Sequence, residues 1–407
     1  MSTICMLSTG HGPLDDRIFY KQVLSLAKRY ERVYVVTPGE APGENLWAPC
    51  VRFVSLPRPT SLWARFRLLP AAVRQVRRLR PDVCHFHDFE LIFALPWLRL
   101  FTRARLIYDV HESYPDMVRE SEKVPPVLHP LLARLVDVCE RTLVRLAHHL
   151  ITADESVARR LRRTGTPVTT IFNYPNLAIL KPRPDAVAKL RARYRGRQVL
   201  LYCGGLGESK GLYQMIRTVA RLRARHPQVL LVLLGQCNEA TNRRVQQMLD
   251  ALCVREQVEL AGWVPHTEIA NYLSVARIGL ILYQPTPKWH KNIPIKQFEF
   301  MAHGVPIVAS DLPPISQYVG QVGAGKLVDG TSPRAAADAV SRLLRNEAEW
   351  RRCSRAGLRA VRTEWNWSKM EARLLRLYRA LLPPQPTKRT GHTMRLDTAG
   401  HAVDLPG

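Results

Sequence analysis

The sequence is short of acidic residues. It has 34 Asp and Glu against 60 Lys and Arg among 407 residues, which leaves a formal net charge of +26. Such an excess favours a partner with negative charge, namely nucleic acid, anionic lipid or a phosphorylated small molecule. The alternative is an arginine-rich solvated surface that has no such partner. Since 46% of the residues are hydrophobic, each of two domains can still bury a full core.

Three further features are missing. No two of the eight cysteines have Cys-x-x-Cys spacing, so neither a zinc site nor a thioredoxin-like motif is indicated. The amino terminus lacks the basic segment and long apolar run of a signal peptide. No apolar run is long enough to predict a membrane span. We therefore expect a reducing, cytoplasmic location, with Cys5, Cys84 and Cys203 as small buried apolar residues.

What the sequence does have is a regular alternation of short apolar runs and longer amphipathic segments. This pattern predicts βαβ units and a parallel sheet, and it occurs twice. The predicted strands are 4–7, 33–36, 51–56, 83–86, 106–110 and 149–152, and then 199–202, 229–234, 258–260, 278–283, 307–309 and 326–328.

A proline-rich segment without periodicity, 173–185, lies between the two sets and is predicted to be a linker. The expected fold is therefore α/β, with two Rossmann-like, doubly wound parallel-sheet domains facing across a cleft. The domains are placed at 1–178 and 186–366, and the polar tail 383–407 is predicted to be disordered. Since ligands bind at the carboxyl ends of strands in such sheets, the cleft is the expected site.

The loop after the first strand of the second half is rich in glycine. Gly204, Gly205 and Gly207 permit close approach to the backbone, and Lys210 stands where the next helix begins, a position that favours an anion. The loop matches neither the dinucleotide fingerprint nor the Walker pattern. It predicts either a diphosphate site or a plain tight turn.

Glu299 lies on a predicted helix near 294–302, between Phe298 and Phe300. A carboxylate in apolar surroundings needs a polar partner. Two adjacent ribose hydroxyls would suit it, because a carboxylate accepts two hydrogen bonds. The alternative is an ion pair with Lys296 on the helix surface.

Polar clusters also follow three strands of the first half. Gly10 and Gly12 permit close backbone approach before a helix that Asp15 or Asp16 could cap, and we interpret the following Asp-Arg pair as structural. His111 and Glu112 end another strand. There His111 could act as a base, a hydrogen-bond donor or an ordinary loop histidine.

A third cluster consists of His85, His87 and Asp88. Two histidines and a carboxylate raise the question of a metal. No further ligand with suitable spacing follows, so a metal site is not favoured.

The segment 45–81 contains no acidic residue and eight arginines. Its periodicity predicts an amphipathic basic helix over 63–78 with Trp63 beside the apolar stripe. Such a helix could lie on an anionic membrane surface, or it could pack on the sheet with an arginine-rich outer face. Pro70 interrupts the stripe, which consists of Leu62, Phe66, Leu69, Val73 and Val76.

In their order and spacing, these motifs resemble those of the family 4 glycosyltransferases of the GT-B fold. The resemblance covers about residues 1–382. The motifs are GHGPLDDRIFYKQ at 10–22, YDVHE at 108–112, NYPN at 173–176, GGLGESKG at 204–211, LAGWVP at 260–265 and FEFMAHGVPIVAS at 298–310.

The resemblance implies a hexosyltransferase that uses a nucleotide sugar and retains the anomeric configuration. Lys210 would neutralise the donor diphosphate, Glu299 would bind the ribose, and His111 would touch the transferred sugar. The Gly10–Gly12 loop would approach the donor phosphate and the acceptor. The acceptor side would be lined by His87, Asp88 and Glu112, and the terminal helix 367–382 would cross back onto the first domain.

We expect no metal or other cofactor. No Asp-x-Asp motif, which metal-dependent sugar transferases commonly use, occurs anywhere in the chain. A lysine and a helix amino terminus can stabilise the charge of the departing diphosphate instead.

Two positions depart from the family pattern. Lys291 stands where a first Glu is frequent, and Gly205 stands where an Arg is frequent. We expect Lys296 to help Lys210 with the phosphates. In place of the first Glu, we expect backbone amides of the donor segment to hold the sugar. An inactive GT-B protein that only binds sugar nucleotides is therefore the alternative. The donor segment comprises Asn292, Ile293, Pro294, Ile295 and Lys296, and the amides in question are those of Asn292, Ile293 and Ile295.

The expected partners are a UDP- or GDP-sugar donor and a sugar, lipid-linked or growing-glycan acceptor, as in polysaccharide biosynthesis. The basic surface suggests peripheral attachment to the inner face of an anionic membrane. Nucleic acid is disfavoured, because Trp63 and Phe66 belong to the apolar stripe and offer no exposed stacking platform. An epimerase is disfavoured because the dinucleotide fingerprint is missing.

Overall fold

The computed structural model describes residues 2–40, 48–121, 124–382, 395–396 and 402–403. The chain forms two compact units. The first runs to Asn173 and resumes at Trp367, and the second runs from Tyr174 to Asn366. Each unit contains one parallel sheet with helices, which confirms the predicted α/β class.

The first unit contains a seven-stranded sheet in the order β3-β2-β1-β4-β5-β6-β7, and all its pairings are parallel. Its central strands are almost fully buried, as expected for a sheet covered by helices on both faces. The six predicted strands are present, and a short seventh was not predicted. The strands are β1 Thr3–Leu7, β2 Arg32–Pro38, β3 Val51–Leu56, β4 Val83–Phe86, β5 Arg105–Val110, β6 His149–Thr152 and β7 Val168–Thr170.

Two predicted helices of the first unit differ from expectation. The helix predicted after Gly10 and Gly12 begins as a π-helical turn at Ile18–Val23 before α1. The predicted helix 63–78 is two helices, since Pro70 lacks the N–H that would continue the first and occupies the first turn of the second. The helices are α1 Leu24–Ala27, α2 Leu62–Arg67, α3 Leu69–Leu79, α4 Leu95–Phe101, α5 Tyr114–Arg119, α6 His129–Leu143 and α7 Glu155–Arg162.

The second unit contains a six-stranded parallel sheet in the order β10-β9-β8-β11-β12-β13. Its strands, all predicted within a few residues, are β8 Gln198–Cys203, β9 Val229–Leu234, β10 Val258–Gly262, β11 Ile278–Ile281, β12 Ile307–Ser310 and β13 Gly325–Val328. Its helices are α8 Pro184–Arg193, α9 Leu212–Leu222, α10 Glu239–Ala251, α11 His266–Leu273, α12 Lys296–Ala302, α13 Pro313–Ile315, α14 Pro333–Arg345 and α15 Glu347–Thr363.

The long helix α15 was not predicted, because its buried face is made of small and polar residues with little apolar periodicity. Gly357 on that face lies against α12, and a Cβ atom at this position would be only 3.0 Å from Cγ of Met301. Because residue 357 has no side chain, α15 can pack closely against α12, the helix that carries Glu299.

The last helix of the described chain, α16 Trp367–Leu381, belongs to the first unit. Its indole Nε1 of Trp367 donates to Oγ of Ser25 at 2.8 Å. The hydroxyl of Tyr378 lies 2.8 Å from Nδ1 of His85. Met370, Leu374 and Leu377 are buried and form an apolar stripe along this helix.

Within the predicted tail, β14 Arg395–Leu396 pairs antiparallel with β15 Ala402–Val403. The rest of 383–407 lies outside the described residues. Cys5, Cys84 and Cys203 are buried free thiols, as predicted. In the part of the chain that the structure describes, no helix combines the length and apolar character needed to cross a bilayer.

Gly279 on β11 offers a test of how closely α12 approaches the sheet. A Cβ atom there would lie 2.7 Å from three ring atoms of Phe300. We expect Gly279→Ala to lower the free energy of unfolding by about 1–3 kcal/mol, because the ring must move. Urea denaturation measures this loss. Gly207→Ala is the control, since no atom lies within 4 Å of its Cβ position. Equal stability of the two variants would contradict the prediction.

Candidate functional site

In the first unit, the loop after β1 is fixed by a carboxylate that follows β4. Asp88 Oδ2 accepts hydrogen bonds from Oγ of Ser8 at 2.6 Å and from the amides of Thr9 and Gly10 at 2.7 and 3.0 Å. Its other oxygen lies 3.0 Å from Nδ1 of His11. Both oxygens thus have partners inside the fold, so we correct the acceptor-side prediction for Asp88. This side chain positions the Gly10–Gly12 loop.

His11 was not predicted as a site residue. Burial lowers its pKa, but the hydrogen bond and charge of Asp88 outweigh burial, and the pKa is raised above its usual value. The side chain remains 31% exposed. His11 therefore favours its protonated form more than a free histidine does, and it reaches solvent at the loop. Its partner Asp88 lies far along the chain. The two residues come together only because β1 and β4 are neighbours in the sheet.

At the end of β5, the buried Asp109 is surrounded by donors. Arg17 donates to both of its oxygens, from Nε at 3.0 Å and from Nη2 at 2.8 Å, and Gln22 Nε2 donates at 2.6 Å. Burial alone would raise the pKa of Asp109, but the charges of Arg17 and His111 hold it well below its usual range. The structural interpretation of Arg17 is confirmed. Asp15 Oδ1 accepts from the Arg17 and Ile18 amides at 2.9 Å, so the predicted cap is also present.

Three histidines surround the same carboxylate. Nitrogen atoms of His85, His87 and His111 lie 3.6–3.7 Å from Oδ2 of Asp109, and His111 Nε2 lies 3.2 Å from Nδ1 of His87. Burial lowers the pKa of His85 and His87, so both are neutral near pH 7.

Of these histidines, only His111 reaches solvent. His111 is 17% exposed, whereas His85 and His87 are fully buried. The ring of His111 also lies 5.0 Å from that of His11. Full burial contradicts the predicted acceptor contact of His87. The ring of His87 instead contacts that of His111 from the buried side. Glu112 is partly exposed next to His111, and its acceptor contact stays a prediction.

His85, His87 and Asp109 have the spacing of a metal site, since their potential ligand atoms lie within 4.8 Å of one another. This is not the triplet weighed from the sequence, in which Asp88 stood in place of Asp109. The residues do not fit a metal ion, because Arg17 already binds both oxygens of Asp109 and would repel a second cation.

In the second unit, a tight glycine turn follows β8. Gly204 and Gly235 have φ angles of +124° and +152°, which only glycine adopts without strain. A Cβ atom on Gly235 would lie 2.0 Å from the carbonyl oxygen of Gly204. The turn at Gly204 after β8 and the turn at Gly235 after β9 therefore pack directly on one another. The backbone of Gly204 and Gly205 remains exposed to solvent.

Two lysine ammonium groups converge on this turn. A Cβ atom on Gly204 would lie 3.0 Å from Nζ of Lys296, and one on Gly205 would lie 2.8 Å from Nζ of Lys210. An arginine at position 205 would displace the ammonium group of Lys210. The glycine at this position therefore leaves the space that the lysine occupies. Sequence analysis predicted both lysines as phosphate ligands, and the structure brings them together.

In the part of the chain that the structure describes, neither ammonium group is hydrogen-bonded to a carboxylate, although the charge of Glu299 attracts Lys296. Nζ of Lys296 lies 3.8 Å from the ring centre of Tyr202 and 5.2 Å from that of Tyr283. Burial, with repulsion from Lys210, lowers the pKa of Lys296 to about 7. Burial and the charge of Lys288 lower the pKa of Lys210. A bound anion would relieve both effects.

Glu299 lies on α12 and is 9% exposed. Such burial excludes the alternative of a helix-surface pair with Lys296. Burial, together with the charge of Glu299, raises the pKa of Cys203, so the carboxylate lies near the end of β8.

The loop before α12 contains the predicted donor segment. The amide of Asn292 donates to the carbonyl of Lys288 at 2.9 Å, so this amide is not available to a ligand, contrary to prediction. In the part of the chain that the structure describes, the amides of Ile293 and Ile295 have no internal acceptor. Pro294 is buried between them.

The Arg17–Asp109 pair carries a prediction. Arg17→Met leaves a buried charge without its partner and should cost about 3–5 kcal/mol of unfolding free energy at pH 7. Because the folded pKa of Asp109 is lowered, the pair stabilises fully above the usual carboxyl pKa, and its contribution is lost as the pH falls. The difference in unfolding free energy between Arg17→Met and the wild type should therefore become smaller as the pH falls. Urea unfolding at several pH values measures it.

The control for this prediction is Lys28→Met, which removes the exposed pair of Lys28 with Glu371. Exposed pairs contribute about 0–1 kcal/mol, so this variant should remain close to wild type. A gap for Arg17→Met that stays constant or widens in acid would show that Asp109 is not the group responsible.

Family models match both units. The model described as "Glycosyl transferase 4-like domain" matches residues 17–176, and "Glycosyl transferases group 1" matches residues 188–359. Together they account for about four fifths of the chain.

Individual proteins agree with the family match. The chain is 24% identical over 326 residues to glycogen synthase of Mycobacterium tuberculosis, covering 76% of this chain and 72% of that protein. It is 28% identical over 200 residues to the GDP-mannose-dependent alpha-(1-6)-phosphatidylinositol monomannoside mannosyltransferase of Mycolicibacterium smegmatis, covering 48% and 52%. The crystal structure of Anabaena HepE with UDP-glucose matches with a TM-score of 0.70 at 14% identity, covering 93% and 99%. The chain therefore belongs to the family 4 glycosyltransferases of the GT-B fold.

Proposed function

We propose that this glycosyltransferase takes its sugar from a nucleotide-sugar donor bound by the second unit. The acceptor binds to the first unit, and transfer proceeds with retention and without a metal ion. The observation that carries the proposal is the convergence of the Lys210 and Lys296 ammonium groups on the Gly204–Gly205 turn. The names of two similar proteins, one GDP-mannose-dependent and one in complex with UDP-glucose, support a GDP- or UDP-sugar.

The charge balance of this turn suits a diphosphate. Two ammonium groups lie beside open backbone, and α9 begins immediately after Lys210 at Leu212. The amino end of a helix adds partial positive charge. Cations fixed in place before the reaction can stabilise the negative charge that develops on a departing nucleoside diphosphate. That is the task a divalent ion performs in other enzymes, so we propose that none is required here.

Glu299 supplies the second element of donor recognition. Its carboxylate is buried near the end of β8 and Lys296, where it can accept hydrogen bonds from two neighbouring ribose hydroxyls. The amides of Ile293 and Ile295 can donate to the donor sugar or a phosphate oxygen. We propose these contacts in place of the Glu that position 291 lacks.

The reaction we propose is a front-side displacement. The bond between the anomeric carbon and the diphosphate oxygen breaks, and the acceptor oxygen bonds to that carbon from the same face. The acceptor proton passes to the departing diphosphate oxygen. His111 is the group of the first unit that we assign to the transferred sugar, and the buried network of His87 and Asp109 orients its ring.

Nucleotide binding tests the donor site directly. In EDTA, one of UDP, GDP, ADP, CMP or dTDP, or its sugar, should raise the melting temperature. A ligand at 100 times its Kd stabilises by about 2.7 kcal/mol. Lys210→Ala and Glu299→Ala should each remove this shift. Lys189→Ala, an exposed substitution on α8, is the control. A shift that appears only with Mg²⁺ or Mn²⁺ would contradict metal independence.

Turnover distinguishes the enzyme from an inactive binding protein of the same fold. The bound nucleotide sugar should be consumed, and the anomeric configuration of the product is read by NMR. Stabilisation without any donor consumption, even in the presence of candidate acceptors, would favour the inactive alternative. No shift with any nucleotide would undercut the donor site altogether.

We also propose that the first unit docks on an anionic membrane, where a lipid-linked acceptor would be found. The connections β3 to β4, β4 to β5 and β5 to β6 all run in one direction across the sheet, so right-handed crossovers place α2, α4 and α6 on one face. These helices carry exposed apolar side chains among exposed arginines. The apolar members are Leu62, Trp63, Trp97, Leu100, Phe101, Leu131, Leu135 and Val138. The exposed arginines are Arg67 of α2 and Arg134 of α6, with Arg78 on the neighbouring α3 and with Arg103 and Arg145 in the segments after α4 and α6.

The single amphipathic helix that the sequence predicted is a smaller part of this face. Val76 of α3 is buried and Val73 packs against the core, so α3 packs on the sheet, whereas α2 exposes Leu62 and Trp63. Arg77 of α3 lies 5.0 Å from the ring centre of Phe101 and joins α3 to α4. An apolar patch rimmed by cations suits an anionic lipid surface.

Liposome flotation tests the docking face. The protein should float with vesicles that contain anionic phosphatidylglycerol at physiological salt and remain unbound with phosphatidylcholine alone. Trp63→Ser combined with Trp97→Ser should reduce the bound fraction at least threefold, because buried aromatic area is lost. Trp263→Ser, also exposed but in the second unit, is the control. Equal binding of both variants, or none by the wild type, would refute the docking face.

A further inference from the structure

Two arginines cover neighbouring glycine turns at the carboxyl edge of the first sheet. A Cβ atom on Gly10 would lie 2.5 Å from Nη1 of Arg65, and one on Gly39 would lie 3.1 Å from Nε of Arg58. Leu7 of β1 pairs with Val36 of β2, and each glycine lies three residues beyond its member of that pair. The two guanidinium groups therefore lie over the ends of adjacent strands.

Neither arginine has a hydrogen-bonded carboxylate in the part of the chain that the structure describes. The nearest acidic oxygen to Arg65 belongs to Glu90, at 3.9 Å, and that oxygen already accepts a hydrogen bond from Oγ1 of Thr9 at 2.7 Å. No described ion pair involves Arg58. The Arg65 side chain is 37% exposed, so it can reach a ligand from solvent.

His11 adds a third nitrogen donor to this edge. It lies between Gly10 and Gly12, and its contact with Asp88 uses Nδ1, so Nε2 is left to donate to a ligand. Both carboxylate oxygens of Asp88 already have partners in the loop. The edge thus presents Arg58, Arg65 and His11 to solvent, while the buried Asp88 and Glu90 accept hydrogen bonds within the fold.

We propose that Arg58, Arg65 and His11 form a binding site for a phosphate group on the acceptor. Guanidinium groups donate paired hydrogen bonds that match phosphate oxygens, and charge-assisted bonds of this kind are about twice as strong as neutral ones. The inference rests on the proposed function, which assigns the acceptor to this unit. The donor diphosphate has its own cations, Lys210 and Lys296, in the other unit, so this set serves a different anion.

Inorganic phosphate is the probe for this site. Its affinity is measured from the melting temperature as phosphate replaces chloride at constant ionic strength. The Lys210→Ala chain serves as background, so that the donor turn contributes little. Phosphate should still bind to this chain, and adding Arg65→Gln or Arg58→Gln should weaken it at least tenfold. Adding Arg78→Gln, an exposed arginine on α3, should change the affinity less than twofold.

Loss of phosphate binding in Lys210→Ala alone would overturn the site, because the phosphate would then belong to the donor turn. Unchanged affinity in both arginine variants would overturn it as well. Arg58 lies in an exposed loop, so its variant tests the site even where Arg65→Gln fails to fold.

A second measurement separates the acceptor from the donor as the source of the phosphate. In the otherwise wild-type chain, Arg65→Gln should leave nucleotide affinity within twofold. An equal fall in nucleotide affinity would place donor phosphates at Arg65 and overturn the acceptor assignment. The nucleotide shift of the wild type, lost in Lys210→Ala, is read independently, so failure of the phosphate site leaves the proposed donor site standing.

Discussion

The carboxyl edge of the first sheet depends on one buried ion pair. Asp109 ends β5 in a fully buried position, and Arg17, from the segment before α1, donates to both of its oxygens and to the carbonyl of Ile171. A buried carboxylate without a partner would be strongly unfavourable. The pair therefore fixes the path of the chain after β1 relative to β5. It also sets the charge beneath His111, because the same carboxylate lies 3.6 Å from Nε2 of that ring.

The strands were predictable because parallel strands buried on both faces appear as short, continuous apolar runs. The donor turn was predictable for a similar reason, since Gly204, Gly205 and Lys210 are close together in the chain. His11 was missed as a site residue, and the partner of Arg17 was not predicted, because Asp88 and Asp109 follow or lie on strands much later in the sequence. The helix α15 escaped prediction because small and polar residues, such as Gly357, form its buried face.

Burial decides which predicted polar residues can touch a substrate. Asp88 and His87 looked like acceptor ligands because they follow β4, yet 3% and 0% exposure turn both into supports for neighbours. Asp88 holds the Gly10 loop, and His87 holds His111. Residue type and strand position therefore predicted where the polar cluster lies. Only the packing shows that His11 and His111 are the partly exposed members of this cluster, which a substrate could reach.

The second unit differs from the first, because the lysine ammonium groups at its glycine turn are not hydrogen-bonded to a carboxylate in the described chain. Lys210 and Lys296 point at one turn with no carboxylate bonded to either ammonium group in the described chain. Burial, together with repulsion from Lys210, lowers the pKa of Lys296 to about 7. Folding gains nothing from this arrangement, because like charges brought together oppose it. The aromatic faces of Tyr202 and Tyr283 offset part of the cost. A bound anion would relieve the repulsion between these two cations, and this is the physical basis of the donor site proposed at the turn.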